Sequence, residues 1–512
     1  MKSFAKYQCL LITSLIAVIA VLFSSTKVQS IEDLFDKTIL NVEGSYNGKL
    51  TEDINGDMLL DIIILRSKGV FPSVNKYASV FLQTTKGFRN EPDYSIRIPD
   101  ELIFADISDV AGDINPELIV MGKGGVYFFR NNLGFLDTLA VNLIETETAI
   151  TLPSPGVVMA YNFIRDVKGF ENPIIVVPLP NEFGLFTGTP GMRYRSITKI
   201  RAQEKIWVQE SEYGELPGNN HIHFGHMYPK ITFADLNGDE IDDIFCTLEN
   251  IVSIFYSTEE GTYLYEPDSE IDLKLLSPIE KESSSGHVSV VISDINNDEI
   301  PDISTTKLTG SITSYKGVLG IYFGGDQNFP SSPDYTMNTE NAVFSGFLRD
   351  FNSDGKLDIL VPELRLGLFG MIKLLLMKKL DMFLKIHLQT NKTFNIEPDY
   401  DKKITLEIDL SGDKIDLGTT IDFDGDINGD KLYDLVVNPG DNTLRIYLGS
   451  GTEVFGPEEF SRIQLDSPSH FEVLDLNGDK QGEIIATYEN SPGYQGQIII
   501  LNLKPAAQLV TR

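Results

Sequence analysis

The chain has 512 residues, 42% hydrophobic and 10% aromatic, a composition that argues against disorder over most of its length. Its 74 acids outnumber 42 bases to give a net charge of −32, which excludes nucleic acid and anionic membrane surfaces as main partners because both are bound through positive charge. With only Cys9 and Cys246 present, and the first in a removable leader, no intrachain disulfide is expected.

Residues 1–30 read as a secretory signal peptide: Lys2 and Lys6 give a basic start, residues 9–23 an apolar core, and Val28-Gln29-Ser30 a small-residue cleavage site. A secreted, extracellular product with no stable membrane insertion is expected. A signal anchor is the alternative, although the apolar run falls short of the roughly 20 residues that a span requires. Residues 31–505 then form one repeat architecture, and 506–512 a short tail.

A short apolar strand, an acidic turn and a second apolar strand recur along these residues. The first turn presents Asp53, Asn55, Asp57 and Asp61, positions one, three, five and nine of a nine-residue loop. In the next unit, FADISDVAGDINPELIV, Asp109, Asp113 and Glu117 keep the outer positions but Ala111 replaces the third, so this copy is expected to keep the fold and lose a metal. A third unit around Asp166 keeps the strand–turn–strand rhythm without a ligand set. Five full copies follow: Asp235, Asn237, Asp239, Asp243; Asp294, Asn296, Asp298, Asp302; Asp350, Asn352, Asp354, Asp358; Asp426, Asn428, Asp430, Asp434; and Asp475, Asn477, Asp479, Glu483. Alternate oxygen side chains in a tight loop converge on one point, and calcium takes about six to eight oxygen ligands. A turn rich in Asp, Asn and Gly explains one such copy. It does not require an acid at position nine in six of them. Calcium is therefore the expected cofactor, at up to six structural sites; every side-chain position is filled, whereas a catalytic metal keeps one open.

The units begin near 53, 109, 166, 235, 294, 350, 426 and 475, about 60 residues apart on average, the length of one four-stranded blade with its connections. A Tyr-rich strand closing on a small turn and an aromatic follows several loops: VYFFRNNLGF from Val126, SIFYSTEEGTY from Ser253, IYFGGDQNF from Ile321, RIYLGSGTEVF from Arg445 and, more weakly, SVFLQTTKGF from Ser79. Alternation and Gly turns mark β-strands. The expected fold is all-β, a β-propeller of eight four-stranded blades, or seven if the unit around Asp166 is an insertion. Too few residues follow Glu483 for a whole blade, so residues 31–47 are expected to supply the missing strand and hide the sheet edge.

Other features have plainer readings. Residues 359–377 are the most apolar stretch after the leader and read as buried strands; the segment GMIKLLLMKKLDMFLKIHL reads as two adjacent strands with a long connection or, alternatively, an amphipathic surface helix. His221, His223 and His226 lack a nearby carboxylate or cysteine set and read as strand and turn residues in preference to a transition-metal site. Cys246 reads as a buried, inert thiol. Asn391-Lys392-Thr393 is a glycosylation sequon, in keeping with secretion.

The D-x-N-x-D-x-x-x-D/E loops, the Phe224-Gly225 pair ahead of FADLNGDEIDDI and the Tyr strands resemble the FG-GAP (VCBS) repeats of integrin α-chain N-terminal β-propellers. The resemblance implies calcium held by side chains one, three, five and nine and by the carbonyl at seven, here Leu59, Ile241, Ile300, Lys356, Leu432 and Gln481. The family often has Gly at position six. Only Gly355 meets that; Met58, Glu240, Glu299, Lys431 and Lys480 stand elsewhere, so weaker binding is expected there unless Gly56, Gly238, Gly429 and Gly478 at position four relax the turn. The implied function is extracellular recognition or cell adhesion, with a protein or glycan as ligand. The alternatives are a propeller-based polysaccharide lyase or hydrolase, for which no catalytic residues stand out, and a subunit of a larger complex docked through residues 350–426. Oligomeric state is left open.

Overall fold

The structure is a computed structural model that describes residues 34–504 apart from 71–72, 114, 152–155, 190–192, 204, 213–219, 259, 278, 281–285, 311–315, 326–327, 341–345, 365–367, 409–420, 452–453, 467, 469 and 489–495. The expected leader (1–30) and tail (506–512) lie outside the described residues. Blade 1 is made of strands Ser45–Glu52, Asp61–Val70, Ser73–Phe81 and Tyr94–Ile98, each antiparallel to the next. The same order repeats as blades 2 to 7 over residues 102–145, 164–201, 230–272, 286–340, 347–407 and 421–464. Blade 8 combines His470–Leu474, Glu483–Thr487 and Gln497–Leu503 with the N-terminal strand Phe35–Asn41, which pairs antiparallel from Phe35 with Leu503 to Asn41 with Gln497. The propeller therefore has eight blades, and the unit around Asp166 is one of them.

The second strand of each blade explains the core. Runs such as Ile62-Ile63-Ile64-Leu65 carry no polar alternation because both faces of the strand are covered. Successive side chains point to opposite faces. Ile62 and Ile64 pack with Ile485 and Ile500 of blade 8, while Ile63 and Leu65 pack with Leu118 and Val120 of blade 2. One such apolar layer fills each of the eight junctions, from blades 1 and 2 round to blades 8 and 1. Cys246 lies in the layer between blades 3 and 4, and burial pushes its thiol up to about 12, as its inert reading required.

Four elements depart from the regular plan. Blade 2 gains a fifth strand, Met159–Ala160, parallel to Phe104 and Ala105. Lys205–Glu212 and Asn220–Met227 form a separate hairpin that holds the three histidines and the Phe224-Gly225 pair; their side chains lie outside the described residues. Blade 6 carries a small hairpin, Gln389–Thr390 with Thr393–Phe394. The stretch 359–377 is only half strand: Asp358–Leu364 is buried sheet, but Leu368–Met377 is a helix, α1, before strand Lys379–His387 pairs back. Its sequence explains the correction, since LFGMIKLLLM is rich in Leu and Met, good helix formers. Leu374 is buried in the layer between blades 6 and 7, whereas Leu375 and Leu376 are 67% and 80% exposed.

The closing strand is the element whose loss is easiest to read. Without residues 1–41, Gln497–Leu503 becomes an open edge, and sedimentation should show association together with a lower urea midpoint. A monomer of unchanged stability would mean that closure is dispensable.

Candidate metal centre

Each acidic loop joins the first and second strands of its blade, so antiparallel order sets all of them on one rim, here the upper rim. Within a loop the position-one carboxylate gathers backbone N–H groups: Asp235 accepts from Gly238, Asp239 and Glu240 at 2.7, 3.2 and 2.9 Å, and Asp53 and Asp426 do the same with their own positions four, five and six. The Asn at position three accepts from the N–H of position five, and the Asp at five from that of position seven. To wrap round the first carboxylate the backbone turns left-handed at position six, with φ of 68° at Met58 and Glu240, 67° at Glu299, 72° at Lys431 and 70° at Lys480. Position four is left-handed too, at Gly56, Gly238, Gly429 and Gly478 and also at Asn297 and Ser353. Absence of Gly at position six thus leaves the turn unchanged, although a side chain is strained in this region.

Position nine plays a different part. Asp61, Asp243, Asp302, Asp358 and Asp434 are buried, and each accepts two backbone N–H groups. One comes from position two of its own loop, at 2.7–3.0 Å. The other comes from the turn between the third and fourth strands: Gln83, Ser257, Gly324, Gln389 and Gly449, at 2.7–2.8 Å. Glu483 takes side-chain amides of Asn477 and Asn502 in place of that second donor. Glu117, in the loop with Ala111, accepts from Val110 and Ala111 through one oxygen while the other is buried without a hydrogen-bond partner.

Burial pushes these carboxyls up, to about 6 at Asp61, Asp243, Asp302 and Asp358 and about 7 at Asp434, Glu483 and Glu117, and the acids at positions one and five add to the push. Neighbouring blades supply single cations: Lys168 reaches Asp235 at 3.3 Å and Lys392 reaches Asp298 at 3.0 Å. The donor set, carboxylate and amide oxygens with no nitrogen or sulfur, is the kind a hard cation takes, and crowded acids of one sign favour one. Among the described residues, no group of three or more His, Cys, Asp or Glu side chains stands close enough to hold one ion.

The loops are also tied to one another, which sequence reasoning missed. Asn131 donates to the Ile54 carbonyl of blade 1 and the Pro116 carbonyl of its own loop, at 2.7 and 2.9 Å. Gln389 does the same to Ile295 of blade 5 and Leu357, at 2.9 and 3.1 Å. Gln83, with its amide nitrogen facing the two carbonyls, reaches Leu476 of blade 8 and Leu60, at 2.9 and 2.8 Å. In every case the acceptors are position two of the preceding loop and position eight of the blade's own. The signal was an amide four residues before the aromatic in RNNLGF, and five before it in LQTTKGF and LQTNKTF.

Two outcomes follow from this geometry. Asn131→Ala strands two buried carbonyls and should cost about 1–3 kcal/mol in urea unfolding, with little change in secondary structure by circular dichroism. The raised carboxyls hold protons in the folded chain up to about pH 6–7 but release them near their ordinary values of 3.8 or 4.5 when unfolded. The metal-free chain therefore binds more protons folded than unfolded across that window and loses stability as pH rises through it. Calorimetry in chelator should give a higher melting temperature at pH 5.5 than at pH 7.5, and the reverse order would contradict the assignment.

A family model described as an FG-GAP-like repeat matches residues 426–486. No curated protein matches the chain. Among solved structures, an Agrocybe aegerita lectin, described with specific recognition of non-reducing terminal N-acetylglucosamine, is similar at 13% identity and a TM-score of 0.39, over 72% of this chain and 89% of that one. The V. cholerae biofilm matrix protein Bap1 is similar at 11% identity and 0.33, over 91% and 89%, and the Vanderwaltozyma polyspora Nup133 β-propeller domain at 10% and 0.37, over 94% and 100%. The matched segment runs from the acidic loop of blade 7 into the second strand of blade 8. The chain is an all-β, eight-bladed β-propeller in which residues 426–486 match an FG-GAP-like repeat.

Proposed function

We propose that the chain is a secreted, calcium-braced recognition module that binds an extracellular protein or glycan on the rim opposite the acidic loops. The observation that carries the reading is the division of labour between the two rims. The upper rim is occupied by the acidic loops and the turns between third and fourth strands, hydrogen-bonded to one another and across neighbouring blades. On the lower rim the connection between blades 3 and 4 carries the hairpin of Lys205–Glu212 with Asn220–Met227, and α1 stands between the second and third strands of blade 6. Variable connections on a rigid scaffold are where contacts usually sit. When bound, calcium would neutralise the crowded carboxylates; the residues that would hold it are positions one, three, five and nine of the six complete loops.

Calcium titration by native mass spectrometry should approach six ions per chain, and the melting temperature should rise in millimolar calcium over chelator. Zero or one ion, or an unchanged melting temperature, removes the calcium part. For recognition, a glycan array and an extracellular protein panel should give a ligand whose binding is lost on shortening the 205–227 hairpin and kept in Asp57→Ala; the opposite pattern would place recognition on the acidic rim.

A further inference from the structure

Residues of blades 2, 3 and 4, at the starts of their first strands and in the connections before them, line a cavity of about 580 Å³. Phe104, Met121, Phe163, Val176 and Phe183 form its apolar wall. Tyr161 and Tyr228 extend that wall, their rings 5.1 Å from Phe104 and 5.6 Å from Phe183. The Tyr228 hydroxyl is directed to the Leu179 carbonyl at 2.9 Å. The main polar groups left facing the space are Thr151, Asn162 and Arg165.

Arg165 is the informative one. It is half-buried, its Nη1 donates to the carbonyl of the adjacent Ile164 at 3.1 Å, and it makes no ion pair among the described residues. The nearby carboxylate of Asp106 already accepts the N–H groups of Phe163, Ile164 and Ile107. A guanidinium at the edge of an apolar chamber, whose charge reaches an Asp106 carboxylate already accepting backbone N–H groups, is a ready partner for a further carboxylate. The volume falls within the roughly 300–1,000 Å³ of pockets that hold drug-sized ligands through apolar walls and a few placed polar groups.

We propose that this cavity binds a small amphipathic acid, its apolar body between Phe104, Phe163 and Phe183 and its carboxylate on Arg165. The site lies away from the acidic loops and does not depend on their occupancy.

The probe is dansylaminoundecanoate, followed by fluorescence and by calorimetry, with its uncharged methyl ester as control. Wild-type chain should bind one equivalent of the acid, and the ester should bind about tenfold more weakly or worse. Arg165→Gln should weaken the acid by a similar factor and leave the ester nearly unchanged. Ala149→Trp, which fills the wall, should abolish both, with folding checked by circular dichroism. If that variant does not fold, the acid–ester comparison in wild type and Arg165→Gln decides alone. No binding, equal binding of acid and ester, or equal loss of both in Arg165→Gln overturns the proposal.

Discussion

The upper end of most blades hangs on one buried carboxylate. At Asp243 the two oxygens join the start of the acidic loop to the turn after the third strand, so three of the four strands meet at a single side chain. Removing an acceptor of this kind leaves two backbone N–H groups without partners inside the protein, which costs more than the bonds themselves contribute. The same group is costly to keep. Burial and like charge both resist its ionised form, and a site that must hold an anion amid other anions is one a cation relieves. Structural demand and the proposed calcium binding therefore meet in one residue per loop.

That convergence explains how much of the architecture was legible. Position nine is spaced from position one by the loop and lies at the mouth of an apolar run, so a linear scan finds both together. The eight-blade count and the N-terminal closing strand followed from periodicity and from the shortage of residues after Glu483. The amides Gln83, Asn131 and Gln389 were not legible because their partners are carbonyls, which leave no trace in side-chain identity, and because they act between neighbouring repeats. Helix α1 was misread for a related reason: Leu, Ile and Met suit a buried strand and a helix alike, and periodicity does not separate them over ten residues. The left-handed turn at position six does not need glycine, since Met58, Glu240 and three others adopt it.

The first strands show how the polar side of the fold is handled. Between first strands and their neighbours Lys49 pairs with Glu472, and Arg349 grips Asp424 with two nitrogens at 2.5 and 2.9 Å. Asp422 beside them is pushed up to about 7, by burial first and then by Asp424 and Glu472. Across the blades Lys76 reverses the pattern: it is buried without a carboxylate, its ammonium meets the carbonyls of Asp100 and Leu102, and burial lowers it to about 8. Arg66 is likewise satisfied by hydroxyls and the Glu43 carbonyl. Backbone oxygens, not acids, are the common partners of these two buried cations, which keeps the carboxylates for the upper rim.

The pairing of Phe35 with Leu503 sets a schedule for synthesis as well as a shape. The first strand to leave the ribosome finds its sheet only after nearly all the rest has been made. Until then it waits, and blade 1 shows Ile62 and Ile64 on a face with no neighbour. Contacts this distant in sequence form late, and an exposed apolar edge is what chaperones bind and what drives aggregation. The early blades must therefore be stable enough in pairs to survive the delay, which gives the bonds between successive loops a role before the ring is complete.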